Sequence, residues 1–176
     1  SLVSIDSNSG ALIALAGGTD FRVSKFNRAT QAYRQPSSAF KPFIYLAALE
    51  RNMTPATLIN DAPIVFQEAG MKEAWKPENA SSKFLGPVRM RRALTNSINT
   101  VSIRLLQTIG VRTFIRGLDR FGFNHEKFPP NLSLALGTHG MTPLELTGGM
   151  TAIANGGYRV EPYFVDRIED SNGQVV

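Results

Sequence analysis

Hydrophobic and polar positions change period several times along this chain, and each change predicts an element. Residues 2–5 (LVSI) and 11–16 (ALIALA) alternate or run apolar around the turn-rich Asp6-Ser7-Asn8-Ser9-Gly10, which predicts a hairpin ended by Gly17-Gly18. Residues 19–37 have no clean period and carry turn formers, so a mostly irregular loop is expected. From Ser38 the period becomes helical: Phe40, Phe43, Ile44, Ala47 and Ala48 share one face, and the run ends near Asn52. Pro42 is tolerated because it falls in the first turn, where its missing N–H is not needed.

Residues 53–86 hold Pro55, Pro63, Gly70, Pro77 and Gly86, which predicts a long segment with short elements at best. Its aromatic residues Phe66, Trp75 and Phe84 argue against disorder. Pro87 is expected to open a helical stretch over 88–110. Asn96, Ser97, Asn99 and Thr100 sit in the middle of it and predict an interruption, because such side chains compete with the helix backbone. Residues 111–121 read as an amphipathic helix with Gly122 past its end. Thr142-Pro143-Leu144-Glu145 is a capping box for a helix that runs to Asn155 and stops at Gly156-Gly157. Val160 to Ile168 alternates, with Pro162 near its start, as an edge strand would. Strands and helices segregated in this way predict an α+β fold.

The 176 residues suffice for one domain with a sizeable core, and 43% are hydrophobic against 19% charged, which excludes wholesale disorder. No apolar run approaches the ~20 residues of a membrane span. The chain has no Cys and only two His, His125 and His139, so thiol chemistry and Cys-based zinc sites are excluded. A net charge of +5, with its tightest cluster at Arg89-Met90-Arg91-Arg92, reads as a solvated positive face. No nucleic-acid-binding signature accompanies it, so no nucleic acid partner is expected. The chain begins without Met inside a strand pattern and ends in a turn, SNGQVV, as a piece of a longer protein would.

With Cys absent and His scarce, Ser38-Ala39-Phe40-Lys41 is the leading candidate for chemistry. Residues i and i+3 of a helix share a face, so Lys41 can reach Ser38. A helix N-terminus supplies free N–H groups and a partial positive charge for a developing oxyanion. Burial against Phe40 and Phe43 is one way to lower the lysine's proton affinity. Ser97-Ile98-Asn99 adds a second hydroxyl and a carboxamide, suited to relaying a proton and binding a peptide group. Taken singly, the first motif reads first as an N-cap serine followed by a surface lysine and the second as a local helix break satisfied by water.

Their order and flanks carry more. FNRATQAYRQPSSAFKPFIY (26–45), WKPENASSKFLGPVRMRRALTNSINTVSIRL (75–105) and ALGTHGMTPLELTGGMTAIANGG (135–157) resemble the transpeptidase half of class A, bifunctional penicillin-binding proteins, most of all the 1a subgroup of Gram-negative bacteria. The resemblance implies a penicillin-binding protein/serine β-lactamase-like fold: an antiparallel sheet packed with helices, plus a helical subdomain. Residues 1–176 would then be a partial transpeptidase domain, lacking the third-motif strand and the upstream glycosyltransferase half.

The implied activity is D,D-transpeptidation, which cross-links peptidoglycan stem peptides through a serine acyl-enzyme and is blocked by β-lactams. Ser38 would be the nucleophile, Lys41 its base and Ser97 the proton relay. Asn99 would bind the donor peptide and hold Lys41, and the Ser38 backbone N–H would serve the oxyanion. No metal or other cofactor is implied. The partners are stem peptides and β-lactams, with envelope proteins as further candidates. The setting is the periplasm, with attachment to the inner membrane through an upstream segment. The third motif, K-T-G, does not occur in 1–176, so this piece alone is expected to acylate poorly.

A serine β-lactamase or β-lactam sensor would share the acyl chemistry but differ in the fate of the acyl-enzyme, and no Glu sits in a recognisable β-lactamase loop. A non-catalytic, basic module that binds envelope polymers is the other alternative. Trp75 with Pro77-Glu78-Asn79 reads first as packing under the long loop and second as cleft lining. Arg28 and Arg34 could attract anionic peptides or form surface ion pairs. His125 and His139 read as surface and turn residues.

Overall fold

A computed structural model describes residues 1–66 and 74–176. Gly70, one of the expected breakers of the 53–86 segment, lies outside the described residues. The described chain divides into two compact units, the first comprising Ser1–Arg34, Asp119–Asn124 and Gly140–Val176, and the second Gln35–Leu118 and His125–His139.

In the first unit, β1 (Leu2–Ile5) pairs antiparallel with β2 (Leu12–Ala16), and the register shifts at Ser4/Ile5. The turn forms because the Asp6 carboxylate accepts the backbone N–H groups of Asn8 at 2.9 Å and Ser9 at 2.8 Å. The segment expected to be irregular contains one short helix, α1 (Arg28–Gln31). Asn27 caps it by accepting the Ala29 N–H at 3.0 Å. The later helix, α6 (Pro143–Ala154), begins with the expected capping box. Thr142 Oγ1 accepts the Glu145 N–H at 3.1 Å, and Glu145 Oε2 accepts the Thr142 N–H at 2.7 Å. It packs on β1 and α1. A Cβ at Gly149 would lie 2.4 Å from the Phe123 ring, so this mid-helix glycine is what lets the aromatic ring approach.

The expected strand over Val160–Ile168 is not formed. Only Tyr163 bridges to the hairpin, donating its N–H to Gly10 at 3.1 Å and accepting that of Leu12 at 2.9 Å. Pro162 has no N–H to extend the ladder.

The second unit is mainly helical. Its central helix is α4 (Asn99–Ile109), packed against α2 (Lys41–Leu49), α3 (Met90–Thr95), α5 (Val111–Gly117) and a 3-10 segment, Leu132–Leu136. The core contains Phe40, Phe43, Ile44, Val101, Ile103, Leu105, Leu106 and Leu134, all buried. The Phe40 ring lies 5.4 Å from Phe43 and 5.9 Å from both Phe114 and Phe128.

Pro87 does not open a helix. It sits in β4 (Gly86–Arg89), antiparallel to β3 (Leu58–Asp61), and helix α3 starts three residues later. In a two-stranded sheet a proline is accommodated where no ladder donor is required. The expected interruption is present at residues 96–98, between α3 and α4, where Ser97 takes a left-handed φ of +53°. The 111–121 helix ends early as α5 and continues as a 3-10 turn, Leu118–Phe121. Trp75 stacks on Phe66 at 5.4 Å, a packing contact.

Candidate active site

Ser38 does not lie within α2 itself. It occupies a 3-10 turn, Ser37–Phe40, that leads into the helix, and its carbonyl accepts the Lys41 N–H. Gly137 holds this turn in place: its carbonyl accepts the Ser37 N–H at 3.2 Å, and a Cβ on it would lie 2.1 Å from the Ser37 oxygen. Ser37 itself has a φ of +50°, a conformation disfavoured by about 1 kcal/mol for a non-glycine residue. The result is an exposed Ser38 on a constrained turn. Its backbone N–H carries no hydrogen bond among the described residues.

Lys41 opens α2 and is 1% exposed. Its ammonium group donates to the Ser97 carbonyl at 2.7 Å, to Ser97 Oγ at 3.0 Å and to Asn99 Oδ1 at 2.7 Å. Those three acceptors match the three protons of an ammonium. Burial lowers its pKa from 10.5 to about 8, because an ammonium in a low-dielectric site loses hydration. The left-handed Ser97 aims both its carbonyl and its hydroxyl at Lys41. The break between α3 and α4 thus serves the site, and the lysine donates to the carbonyl it turns inward.

The i, i+3 spacing puts Lys41 within reach of Ser38, and no hydrogen bond joins the two side chains among the described residues. Lys41 reaches Ser97 and Asn99, the latter a contact the family resemblance implies, and Ser38 meets Ser97 and Asn99 across a shared cleft of about 470 Å³. Ser38, Ser97 and Asn99 line that cleft together with Asp61, Asn79 and Lys83. The arrangement can place a carbonyl carbon beside Ser38 Oγ, with the Ser97 hydroxyl in the same cleft and a buried low-pKa amine hydrogen-bonded to that hydroxyl.

The sequence reading linked Trp75 and Asn79. The structure separates them, since Asn79 faces the cleft while Trp75 packs on Phe66. Asp61 was not singled out: a lone carboxylate at a strand end carries no local signal. Arg28 and Arg34 are exposed in the first unit. His139 packs against Phe128 at 4.2 Å, and His125 lies in a 3-10 turn, His125–Lys127.

The penicillin-binding protein transpeptidase domain family model matches residues 1–176 in full. The chain belongs to this family. Penicillin-binding protein 1A of Pseudomonas aeruginosa is 50% identical over 175 residues, 99% of this chain and 21% of that protein. The crystal structure of penicillin-binding protein 1A from Haemophilus influenzae superposes with a TM-score of 0.92 at 40% identity, over 99% of this chain and 26% of that one. PonA1 of Mycobacterium tuberculosis in complex with penicillin V superposes with a TM-score of 0.85 at 26% identity, over 99% of this chain and 48% of that one. The resemblance read from the three motif-bearing stretches is therefore borne out along the chain, as is the penicillin-binding protein fold. The chain spans about a fifth of the length of the P. aeruginosa relative.

Proposed function

We propose that this chain is part of a serine D,D-transpeptidase domain that cross-links peptidoglycan stem peptides and is acylated by β-lactams. The observation that carries the reading is Lys41, a buried amine with a pKa of about 8, held by Ser97 and Asn99 on the cleft that Ser38 lines. A neutral lysine has two N–H donors and one lone pair. The Ser97 carbonyl and Asn99 Oδ1 can only accept, so they take the two donors, and the lone pair turns to the hydroxyls.

Ser38 Oγ then passes its proton to Lys41, directly or across Ser97 Oγ, and attacks the carbonyl carbon of the D-Ala-D-Ala peptide bond. The Ser38 N–H donates to the oxyanion. As the C–N bond breaks, the departing D-Ala amine takes the proton from Lys41 through Ser97. The net change is one Oγ–C bond formed, one C–N bond broken and one proton moved from serine to amine. Attack by an amine of a neighbouring stem peptide reverses these steps and releases Ser38. Asn99 would bind the donor peptide amide.

The names of the relatives, penicillin-binding proteins, support this reading, and a periplasmic setting with attachment to the inner membrane is part of the proposal. Among the described residues no helix is long and apolar enough to cross a membrane.

Intact-mass measurement of the protein carrying this chain, after incubation with a β-lactam, tests the reading. The expected result is a single stable adduct that maps to Ser38 and disappears in Ser38→Ala. An adduct that survives Ser38→Ala refutes the nucleophile. Rapid release of hydrolysed drug refutes the transpeptidase in favour of a β-lactamase.

A further inference from the structure

Asp61 ends β3 and is 1% exposed. Its Oδ1 accepts the Thr100 hydroxyl at 2.5 Å and Asn79 Nδ2 at 2.7 Å, and its Oδ2 accepts the Leu85 N–H at 2.8 Å. Asn79 is 7% exposed. Its second amide proton goes to the Lys83 carbonyl at 2.9 Å, and its Oδ1 accepts the N–H groups of Asn99 at 3.0 Å and Thr100 at 3.3 Å. Both donors and both lone pairs of this side chain are therefore occupied.

The asymmetry at α4 gives this arrangement its meaning. The residue in the N-cap position is Ile98, whose side chain cannot accept a hydrogen bond, so the helix has no cap of its own. Asn79 supplies that cap from 20 residues away in sequence. The first two helical residues it grips are Asn99 and Thr100. Asn99 holds Lys41 through Oδ1 and the Glu78 carbonyl through Nδ2 at 2.8 Å. Thr100 is gripped a second time by Asp61. A continuous chain of hydrogen bonds therefore runs from Asp61 through Asn79 and Asn99 to the Lys41 amine.

We propose that Asp61 and Asn79 are positioning residues for the proposed acylation chemistry, which fix the start of α4 so that Asn99 and Ser97 hold Lys41 in place. The proposal rests on the transpeptidase reading for its kinetic readout and stands apart from it for its structural one. Asn79 supplies the cap, and Asp61 helps fix which way its amide faces, accepting from Nδ2 beside the Lys83 carbonyl while the Asn99 and Thr100 N–H groups hold Oδ1 toward the helix.

The test compares Asn79→Ala, Asp61→Asn and the exchange Asp61→Asn with Asn79→Asp in the full-length protein carrying this chain. Two readouts are used: the acylation rate constant with a fluorescent β-lactam, whose amplitude counts folded protein separately, and the titration midpoint of the Lys41 side chain by NMR. Each single variant is expected to slow the rate constant by ~10–100-fold, as a displacement near 1 Å at a reacting group does. Each is also expected to move the Lys41 midpoint downward, because Asn99 no longer holds the charged form. The exchange restores a donor–acceptor pair between positions 61 and 79 with reversed polarity but leaves the Lys83 carbonyl without its donor, so it should recover part of the rate lost in the single variants.

Unchanged rate constant and midpoint in the folded fraction of the single variants overturn the proposal, as does a loss confined to the amplitude. Where Asn79→Ala does not fold, the isosteric Asp61→Asn decides alone. A parent protein that takes no β-lactam refutes the transpeptidase reading, while the Lys41 midpoint still decides the positioning role.

Discussion

The charge state of Lys41 is the quantity on which the proposed chemistry turns, and Asn99→Asp perturbs it with almost no change in shape. Asn99 Oδ1 lies 2.7 Å from the Nζ of the buried Lys41. With a midpoint of about 8, roughly 10% of the lysine is neutral at pH 7, against ~0.03% for an ordinary lysine. A carboxylate in place of the amide favours the ammonium and raises the midpoint by about 1–3 pH units. The neutral fraction at pH 7 then falls to between ~1% and ~0.01%, and acylation slows by ~10–1000-fold.

The change also removes the donor to the Glu78 carbonyl, so some loss independent of pH is expected. What identifies the electrostatic part is the profile. The acylation rate with a chromogenic β-lactam, followed from neutral to alkaline pH, should rise to its plateau at a higher pH in Asn99→Asp than in the parent. Asn99→Ala removes the acceptor without adding charge and should shift the rise the other way. An Asn99→Asp profile with the parental midpoint, whatever its height, refutes Lys41 as the base.

Three further outcomes are expected. Gly137→Ala places a Cβ against the Ser37 backbone at a φ of +64°. It should therefore displace the Ser38 turn and slow acylation by ~100-fold, and a crystal structure with an unmoved turn and normal acylation would contradict this. Thr142→Ala deletes half of the capping box of α6. It should cost about 1 kcal/mol and lower Tm by ~2–4 °C, measured calorimetrically, with acylation unchanged.

The third concerns stability against pH. Lys41 has a folded pKa below its unfolded value, so the unfolded state binds more protons between the two, and stability rises with pH from about 8 to about 10.5. The penalty present below that window is about 3 kcal/mol. Burial raises the Tyr45 phenol to about 12, which acts in the opposite direction above pH 10. Denaturant titrations should show the rise in the parent between pH 8 and 10 and its absence in Lys41→Met. A parallel rise in both excludes Lys41 as its source.

Local physics made much of the fold legible. The hairpin at 2–16, the α2 face built on Phe40, Phe43 and Ile44, and the α6 capping box all depend on neighbours within a few residues. The sequence states such neighbours outright. The break around Ser97 was legible for the same reason, since polar side chains within a helical run compete with its backbone. The failures came where a distant partner decides. Pro87 looks like a helix opener until Asn60 is known to lie across from it. Val160–Ile168 alternates as a strand would, yet it bonds to the hairpin through Tyr163, to Gly10 and Leu12, and at its far end Ile168 accepts the Val176 N–H.

The site divides the same way. Absence of Cys, scarcity of His, and the two short motifs in their flanks singled out Ser38, Lys41, Ser97 and Asn99 from the sequence alone. The family resemblance already pairs Lys41 with Asn99, 58 residues away; tertiary structure alone decided that Lys41 also bonds to the Ser97 carbonyl and hydroxyl, 56 residues away, and not to Ser38 three residues before it. It alone brought Asp61 and Asn79 to the start of α4. The physical reason is that a buried amine and an uncapped helix must find acceptors wherever packing brings them. Spacing along the chain records which groups are available, and only packing settles which of them meet.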